Sequence, residues 1–227
     1  MDPKLALRGI KAWSTMFFVS HWPRQREQGE ALVQLLQQRK AMQREPVESG
    51  IATSAKSSQG LYESHFDLFH DPDEGLQELV AYIRSAVAAA VAIANDHAFS
   101  AKDLEIDFPD SWYHITNAGG FHDAHLHHGC SWCGIFYLQV GQSDGPGKRS
   151  EGAPNGGSRF YSPLDRGGGY RDAGNRYLVP ALDLPIENGL LLIFPSYLLH
   201  SGLPYQGQID RIVIAFNAQC FLKEGSI

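Results

Sequence analysis

The chain has 227 residues, of which 43% are hydrophobic and 19% charged, and its formal net charge is −6. Such a composition is that of an ordinary globular protein, and the length predicts one domain over residues 1–227. The acidic balance, with no dense run of Lys and Arg, argues against nucleic acid as a partner.

Targeting and redox signals are weak. The N-terminal segment lacks the apolar core of a signal peptide, and no apolar run is expected to reach the ~20 residues of a membrane span. The three cysteines, Cys130, Cys133 and Cys220, are too few and too odd in number for a disulfide framework. We therefore predict a cytoplasmic, reducing location with no membrane partner.

The first hundred residues predict a mainly helical layer. A short strand is expected within 10–20, a helix over 24–44, and a loop over 46–60, where Ser, Gly and Ala are frequent. The clearest helix is predicted over 73–97, because apolar residues recur at helical spacing and Asp73 can cap its start.

Beyond residue 100 the pattern changes to short strands separated by turns. The predicted strands are 104–108, 111–117, 122–128, 133–140, 158–162, 176–179, 190–194 and 211–219. The stretch 141–175 is rich in Gly, Pro and Ser, and loops of this length are often lids or binding loops. Helices first and strands afterwards predict an α+β fold, with a barrel-like sandwich over 101–227 and the N-terminal helices packed on one sheet.

A group of histidines supplies candidate metal ligands. His125 and His127 are two residues apart and would point to the same face of a strand, together with Asp123. A third histidine, His200, ends a long apolar run. Three such ligands with open positions are typical of a non-haem iron oxygenase. A single histidine is more often structural, so the interpretation depends on the combination with His200 and a nearby arginine.

That arginine is Arg211, which opens the apolar run 211–216. It follows His200 by 11 residues, enough for a short turn joining two antiparallel strands that would aim both side chains into one cavity. A buried guanidinium requires a carboxylate partner, and its planar fork suits bidentate binding. A dicarboxylate co-substrate would supply that partner.

These segments together resemble the Fe(II)- and 2-oxoglutarate-dependent oxygenase superfamily, in particular its bacterial and phage branch with an H-x-H metal motif. The matching segments are HLH at 125–127, SWCGIFYL at 131–138, GLLLIFPSYLLH at 189–200 and RIVIAFN at 211–217. The resemblance implies a double-stranded β-helix, or jelly roll. It also implies Fe(II), 2-oxoglutarate and O₂ as cofactors, and hydroxylation of an unidentified small-molecule or peptide substrate. A homodimer is a further expectation.

The resemblance also implies roles for individual residues. His125, His127 and His200 would be the metal ligands, and Arg211 with Tyr137 would hold the distal carboxylate of 2-oxoglutarate. His127 departs from the superfamily pattern, because a carboxylate usually occupies its position. Asp123 could supply that carboxylate or instead accept a hydrogen bond from a ligating histidine.

Several other signals leave alternatives open. Asn117 and His114, on the predicted strand 111–117, could contact substrate or cofactor, or be ordinary strand residues. Arg159, Tyr161, Arg166 and Arg171 could bind an anionic substrate or only solubilise the long loop. Cys130 and Cys133 form a C-x-x-C pair, but in a strand they would face opposite sides, which favours Cys133 as a core residue.

Two other classes of function remain open at this point. A cupin-like metalloenzyme would use the histidines without Arg211, although the glutamate of the first cupin motif is absent after His127. A non-catalytic jelly roll would bind metal without turnover.

Overall fold

The computed structural model describes residues 15–42, 60–141, 155–163 and 179–225. The two α-helices in these ranges are α1 (Gln25–Met42) and α2 (Glu74–Ala94). The strands in the first half are β1 (Phe18–His21), β2 (Leu61–Glu63), β3 (Leu104–Asp107), β4 (Ser111–Thr116), β5 (Gly120–His125) and β6 (Trp132–Gln139). The later strands are β7 (Ser158–Tyr161), β8 (Ala181–Asp183), β9 (Leu190–Pro195), β10 (His200–Tyr205) and β11 (Arg211–Leu222).

The strands form two antiparallel sheets. The large sheet has the order β1-β9-β6-β11-β4-β2, and β3 pairs with β11 outside this path. The small sheet has the order β5-β10-β7-β8. Both early strands, β1 and β2, extend the large sheet, so residues before 100 contribute strands as well as helices. Two antiparallel sheets, between which the chain crosses repeatedly, agree with the predicted jelly roll.

The large sheet lies between the helices and the small sheet, so its central strands are buried on both faces. Along β6, Cys133, Ile135 and Tyr137 belong to the core cluster between the sheets. Phe136 and Leu138 belong to the cluster that includes the helices. This alternation explains why the sequence of β6 is apolar at nearly every position rather than at every second one.

Helix α2 covers the outer face of the large sheet. The carboxylate of Asp73 accepts a hydrogen bond from the backbone N–H of Leu76 at 3.0 Å, which caps the helix start. Leu79, Ile83 and Val87, at helical spacing, are fully buried. The helix is long and apolar enough, by length and composition alone, to cross a membrane. No such segment was predicted from the sequence, and half of the helix's most apolar stretch is buried in this fold.

The comparison with the predicted elements confirms the α+β fold and corrects several strands. The predicted strand 122–128 is β5, which ends at His125, so His127 lies beyond it. Three strands, β2, β8 and β10, were not predicted. The loop at 46–60, apart from residue 60, most of 141–175 and most of the strand at 176–179 lie outside the described residues.

One further correction concerns the connection between His200 and Arg211. His200 is the first residue of β10, not the end of a strand, and β10 pairs with β5 and β7 in the small sheet. Arg211 is the first residue of β11, which pairs with β4 and β6 in the large sheet. The two side chains therefore approach one cavity from opposite sheets, not from one hairpin.

Candidate active site

Three imidazoles meet inside the cavity between the two sheets. His125 ends β5, His127 follows it in the chain, and His200 begins β10. The ring centroids lie 4.3 Å apart for His125 and His200, 5.0 Å for His125 and His127, and 5.1 Å for His127 and His200. One nitrogen from each ring lies within 4.8 Å of the others, so a single metal ion could contact all three. These residues are the triple-histidine cluster.

A β-bulge decides which side chains of β5 face the cavity. His200 pairs with His125, but Gly202 pairs with His122, so three residues of β5 oppose two of β10. The extra residue breaks the alternation of faces. His122 therefore turns inward beside His125, with ring centroids 4.1 Å apart.

The same bulge overturns the predicted position of Asp123. We expected Asp123 to share a face with His125 and His127, but Asp123 is exposed and lies outside the cluster. Its backbone carbonyl, not its carboxylate, accepts a hydrogen bond from Nδ1 of His125 at 2.7 Å. The carboxylate of Asp123 is thus not a member of the metal-binding group.

Hydrogen bonds fix the same tautomer on all three imidazoles. Nδ1 of His127 lies 2.7 Å from Oδ1 of Asn217, and Nδ1 of His200 lies 2.9 Å from the carbonyl of Leu198. An oxygen acceptor at Nδ1 places the ring proton there, as the Asp123 carbonyl also does for His125. The lone pair of each Nε2 is consequently available for a metal ion.

Burial keeps these rings neutral. Burial, together with the neighbouring His200, lowers the pKa of His125 to about 2. Burial also lowers the pKa of His200 to about 3 and lowers that of His127. Neutral imidazole is the form that binds metal, so the cluster is prepared for an ion over a wide pH range.

Asn217 belongs to the site, although no role was predicted for it from the sequence. Its Oδ1 accepts from His127, and its Nδ2 donates to Oδ2 of Asp110 at 2.8 Å. The two bonds orient the amide, because a reversed amide would face Asp110 with its oxygen. A polar side chain within the apolar strand β11 was the signal that could have revealed it.

Arg211 occupies the same cavity from the large sheet. Its side chain is only 5% exposed. Nε and Nη2 donate to the carbonyl of Val140, each at 3.1 Å, and Nη2 also donates to the carbonyl of Asn155. The guanidinium stacks on the ring of Tyr205, 4.6 Å from its centroid. Within the described residues, no carboxylate forms an ion pair with Arg211.

Tyr137 lines the cavity beside Arg211. Its hydroxyl donates to Oγ of Ser158 at 2.8 Å, and burial raises its pKa, so the hydroxyl stays protonated. The cavity that contains Tyr137, Arg211 and the triple-histidine cluster encloses about 660 Å³, including its open mouth.

Other predicted site residues have structural partners elsewhere. Both ends of the Asn117 amide bind the turn before β11: Nδ2 donates to Asp210, and Oδ1 accepts from the N–H of Gly207. Asn117 is not among the residues that line this cavity, and its cofactor contact stays a prediction. Arg159 forms a bidentate ion pair with Asp183.

The remaining predictions concern Tyr161, the C-x-x-C pair and the arginines of the long loop. The hydroxyl of Tyr161 lies 3.1 Å from Oγ of Ser201. Cys133 is buried, as expected, but Sγ of Cys130 lies only 3.7 Å from Sγ of Cys133. The two thiols share one side because Cys130 precedes β6, where strand alternation does not apply. Arg166 and Arg171 lie outside the described residues.

Comparison with known proteins gives a consistent result. Residues 110–217, just under half of the chain, match the family described as "Putative 2OG-Fe(II) oxygenase". A search of curated proteins finds no significant match.

Solved structures share the fold at low sequence identity. A prolyl-4-hydroxylase from Pseudomonas putida is 17% identical, with a TM-score of 0.54 over 89% of this chain and 92% of its own. HygX from Streptomyces hygroscopicus, solved with nickel, 2-oxoglutarate and hygromycin B, is 13% identical, with a TM-score of 0.52 over 90% and 83%. The epimerase SnoN with Fe³⁺, alpha-ketoglutarate and nogalamycin RO is 13% identical, with a TM-score of 0.52 over 92% and 82%. These likenesses agree with the predicted jelly roll.

Proposed function

We propose that the chain is a 2OG-Fe(II) oxygenase, the family that residues 110–217 match, and that it hydroxylates a small molecule or a peptide side chain. In that reaction 2-oxoglutarate, O₂ and a substrate C–H bond give succinate, CO₂ and an alcohol. An iron ion supplies the activation of O₂ when it is bound. The remaining work falls to the protein: it holds the ion, orients the co-substrate and excludes water.

The triple-histidine cluster fits the metal. We assign the Nε2 atoms of His125, His127 and His200 as ligands, because each faces the others and carries a free lone pair. Three protein ligands leave further positions of an octahedral ion open for a co-substrate. Phe194 and Phe160 flank His200, with ring centroids 4.9 Å and 5.6 Å away, and their apolar rings exclude water from that side.

The buried guanidinium of Arg211 is the single observation that carries the co-substrate assignment. Arginine stays charged in proteins, and an isolated buried charge is costly unless a counter-ion accompanies it. Backbone carbonyls occupy Nε and Nη2, whereas Nη1 donates to no described residue. A carboxylate bound at Nη1, and reached by the hydroxyl of Tyr137, would complete the site.

The proposed substrate class follows the solved structures that share this fold. The prolyl-4-hydroxylase is named for prolyl residues, and the HygX and SnoN structures contain small molecules. SnoN is an epimerase, so this fold also supports an outcome other than hydroxylation. A lid formed by 141–175, a homodimer and a cytoplasmic location remain proposals from the sequence.

The test measures succinate formation from 2-oxoglutarate by the Fe(II)-loaded protein with ascorbate and O₂. We expect slow turnover without added substrate, and a rise in Tm when 2-oxoglutarate is added to Zn(II)-loaded protein. Arg211→Met should lower the affinity for 2-oxoglutarate by about 10- to 150-fold, the value of a hydrogen bond to a charged group. Its metal content should not change.

Arg159→Met is the matched control, because Arg159 pairs with Asp183 and is absent from the cavity lining. It should bind 2-oxoglutarate as the wild type does. Metal binding without either succinate or a Tm shift would overturn the oxygenase proposal and favour a cupin-like or non-catalytic metal protein.

A further inference from the structure

A second group of metal-ligand side chains lies beside the triple-histidine cluster. Glu63 is on β2, His114 on β4 and His122 on β5, and one ligand atom from each lies within 4.8 Å of the others. Two imidazoles and one carboxylate suit zinc, iron and nickel. We call these residues the Glu63 cluster. No role of the family motif falls on them.

The distances within the Glu63 cluster match those between ligands of one ion. Oε2 of Glu63 lies 2.8 Å from Nε2 of His114 and 3.8 Å from Nε2 of His122. With metal–ligand bonds of ~2.1 Å, these separations correspond to ligand–metal–ligand angles of about 85° and about 130°. Such angles bracket the octahedral and tetrahedral values, so one ion can contact all three atoms after small side-chain adjustments.

A hydrogen bond favours the metal-binding tautomer of His122. Nδ1 of His122 lies 3.2 Å from the carbonyl of Asp123, which leaves its Nε2 lone pair facing Glu63. Nε2 of His114 lies 2.8 Å from Oε2 of Glu63 and 3.2 Å from Nε1 of Trp112, which can only donate. A metal ion at His114 would take the place of the hydrogen bond at this nitrogen.

Burial and topology strengthen the argument. The side chains of Glu63, His114 and His122 are 23%, 12% and 14% exposed, so bulk water screens them weakly. Glu63 and His114 belong to the large sheet, whereas His122 belongs to the small sheet and turns inward only because of the β-bulge. An ion bound here would join the two sheets at the wall of the cavity.

We propose that Glu63, His114 and His122 bind a second divalent transition-metal ion beside the triple-histidine site. The ion stabilises the contact between β2, β4 and β5. This site does not depend on the proposed oxygenase reaction, and its binding can be measured without turnover.

The experiment counts metal ions in the full chain. The protein is stripped with a chelator, loaded with Zn(II), freed of excess by gel filtration, and analysed by mass spectrometry for zinc. We expect two equivalents for the wild type and one for Glu63→Gln and for His114→Gln. His200→Gln should also contain one equivalent, lost from the other site. The Tm gain on Zn(II) loading should be smaller in the Glu63→Gln variant.

Matched controls separate the site from surface binding. Glu105→Gln and His65→Gln replace exposed residues of the same types and should keep two equivalents. Circular dichroism checks the folding of each variant, and a Co(II) titration of the wild type, which needs no variant, should show two absorbance phases.

One zinc equivalent in the wild type would overturn the proposal, as would two equivalents in a folded Glu63→Gln variant. An ordinary Glu63–His114 ion pair predicts the first of these results. A protein that binds two ions but forms no succinate would contradict the oxygenase reaction alone.

Discussion

The amide of Asn217 should control the metal affinity of the triple-histidine cluster. It is 7% exposed, and both of its ends are bonded, to His127 and to Asp110. Asn217→Ala removes the acceptor from Nδ1 of His127 and frees the ring to rotate or change tautomer. The lone pair of Nε2 is then no longer held toward the other two ligands.

The expected loss of metal affinity follows from the removal of one buried hydrogen-bond partner of a ligating histidine. Removing such a partner lowers metal affinity by about 10- to 100-fold, or about 1.4–2.8 kcal/mol. A comparable loss is expected here, because the bond is 2.7 Å long and its acceptor is held by a carboxylate. Protein stability should fall by about 2 kcal/mol, because two hydrogen bonds with a net value of about 1 kcal/mol each are lost.

The assay is competition for Zn(II) against a chromophoric chelator, in a Glu63→Gln background so that only the triple-histidine site is measured. Gln219→Ala is the control, since Gln219 lies two residues further along β11 and donates to the carbonyl of Gly129 on the exposed surface. An Asn217→Ala variant with the affinity of the control would refute the positioning role of Asn217.

Three further predictions concern other parts of the site. At Gly156, whose φ is +76°, an added Cβ would lie 1.8 Å from Nη1 of Arg211, whereas at Gly157, φ +94°, the first contact is Ile186 at 3.6 Å. Gly156→Ala should therefore weaken 2-oxoglutarate binding, measured by calorimetry, by about 10-fold or more. Gly157→Ala, which shares the strain of a positive φ, should not weaken it. Equal losses of affinity in the two variants would contradict the clash with Arg211. Burial lowers the pKa of His125 to about 2 and that of His200 to about 3, so below pH ~6.5 the unfolded chain binds more protons than the folded one. The metal-free protein should lose about 2 kcal/mol of unfolding free energy per histidine between pH 7 and pH 5. Urea unfolding at the two pH values measures this loss, which should be smaller in His125→Gln. A His125→Gln variant with the pH dependence of the wild type would contradict the prediction. The hydrogen bond from Cys133 lowers the pKa of Cys130, whereas donating that bond, together with burial, raises the pKa of Cys133. Maleimide should label Cys130 first, and peptide mapping that finds Cys133 labelled at the same rate would contradict this.

The sequence predicted the parts of the fold that carry their own signal. Long apolar runs marked β6, β9 and β11, because these strands are buried on both faces. The strand β10 contains Gly202 and Pro204 and has no alternating pattern, so its pairing with β5 and β7 depends on tertiary contacts. The strand β2 has three residues, and its position is set by pairing with β4.

The candidate site was predictable only where residue type and spacing were sufficient. The triple-histidine cluster and Arg211 were found because histidines and an isolated arginine are conspicuous beside apolar runs. Glu63 was missed because it lies far upstream on a short strand. The inward turn of His122 was missed because a β-bulge, which arises from pairing with β10, changes the face without changing the sequence pattern.

The charges of the described site explain why its co-substrate should be a dianion. Three neutral imidazoles leave a divalent ion with its full charge, and Arg211 adds one more positive charge to the same cavity. The first carboxylate of 2-oxoglutarate would offset the ion, and the second would offset the guanidinium. A mono-carboxylate keto acid would leave Arg211 buried without a counter-ion. The mono-carboxylate acid should therefore bind the wild type more weakly than 2-oxoglutarate does. This difference in affinity should disappear in Arg211→Met, where both acids meet the same apolar side chain.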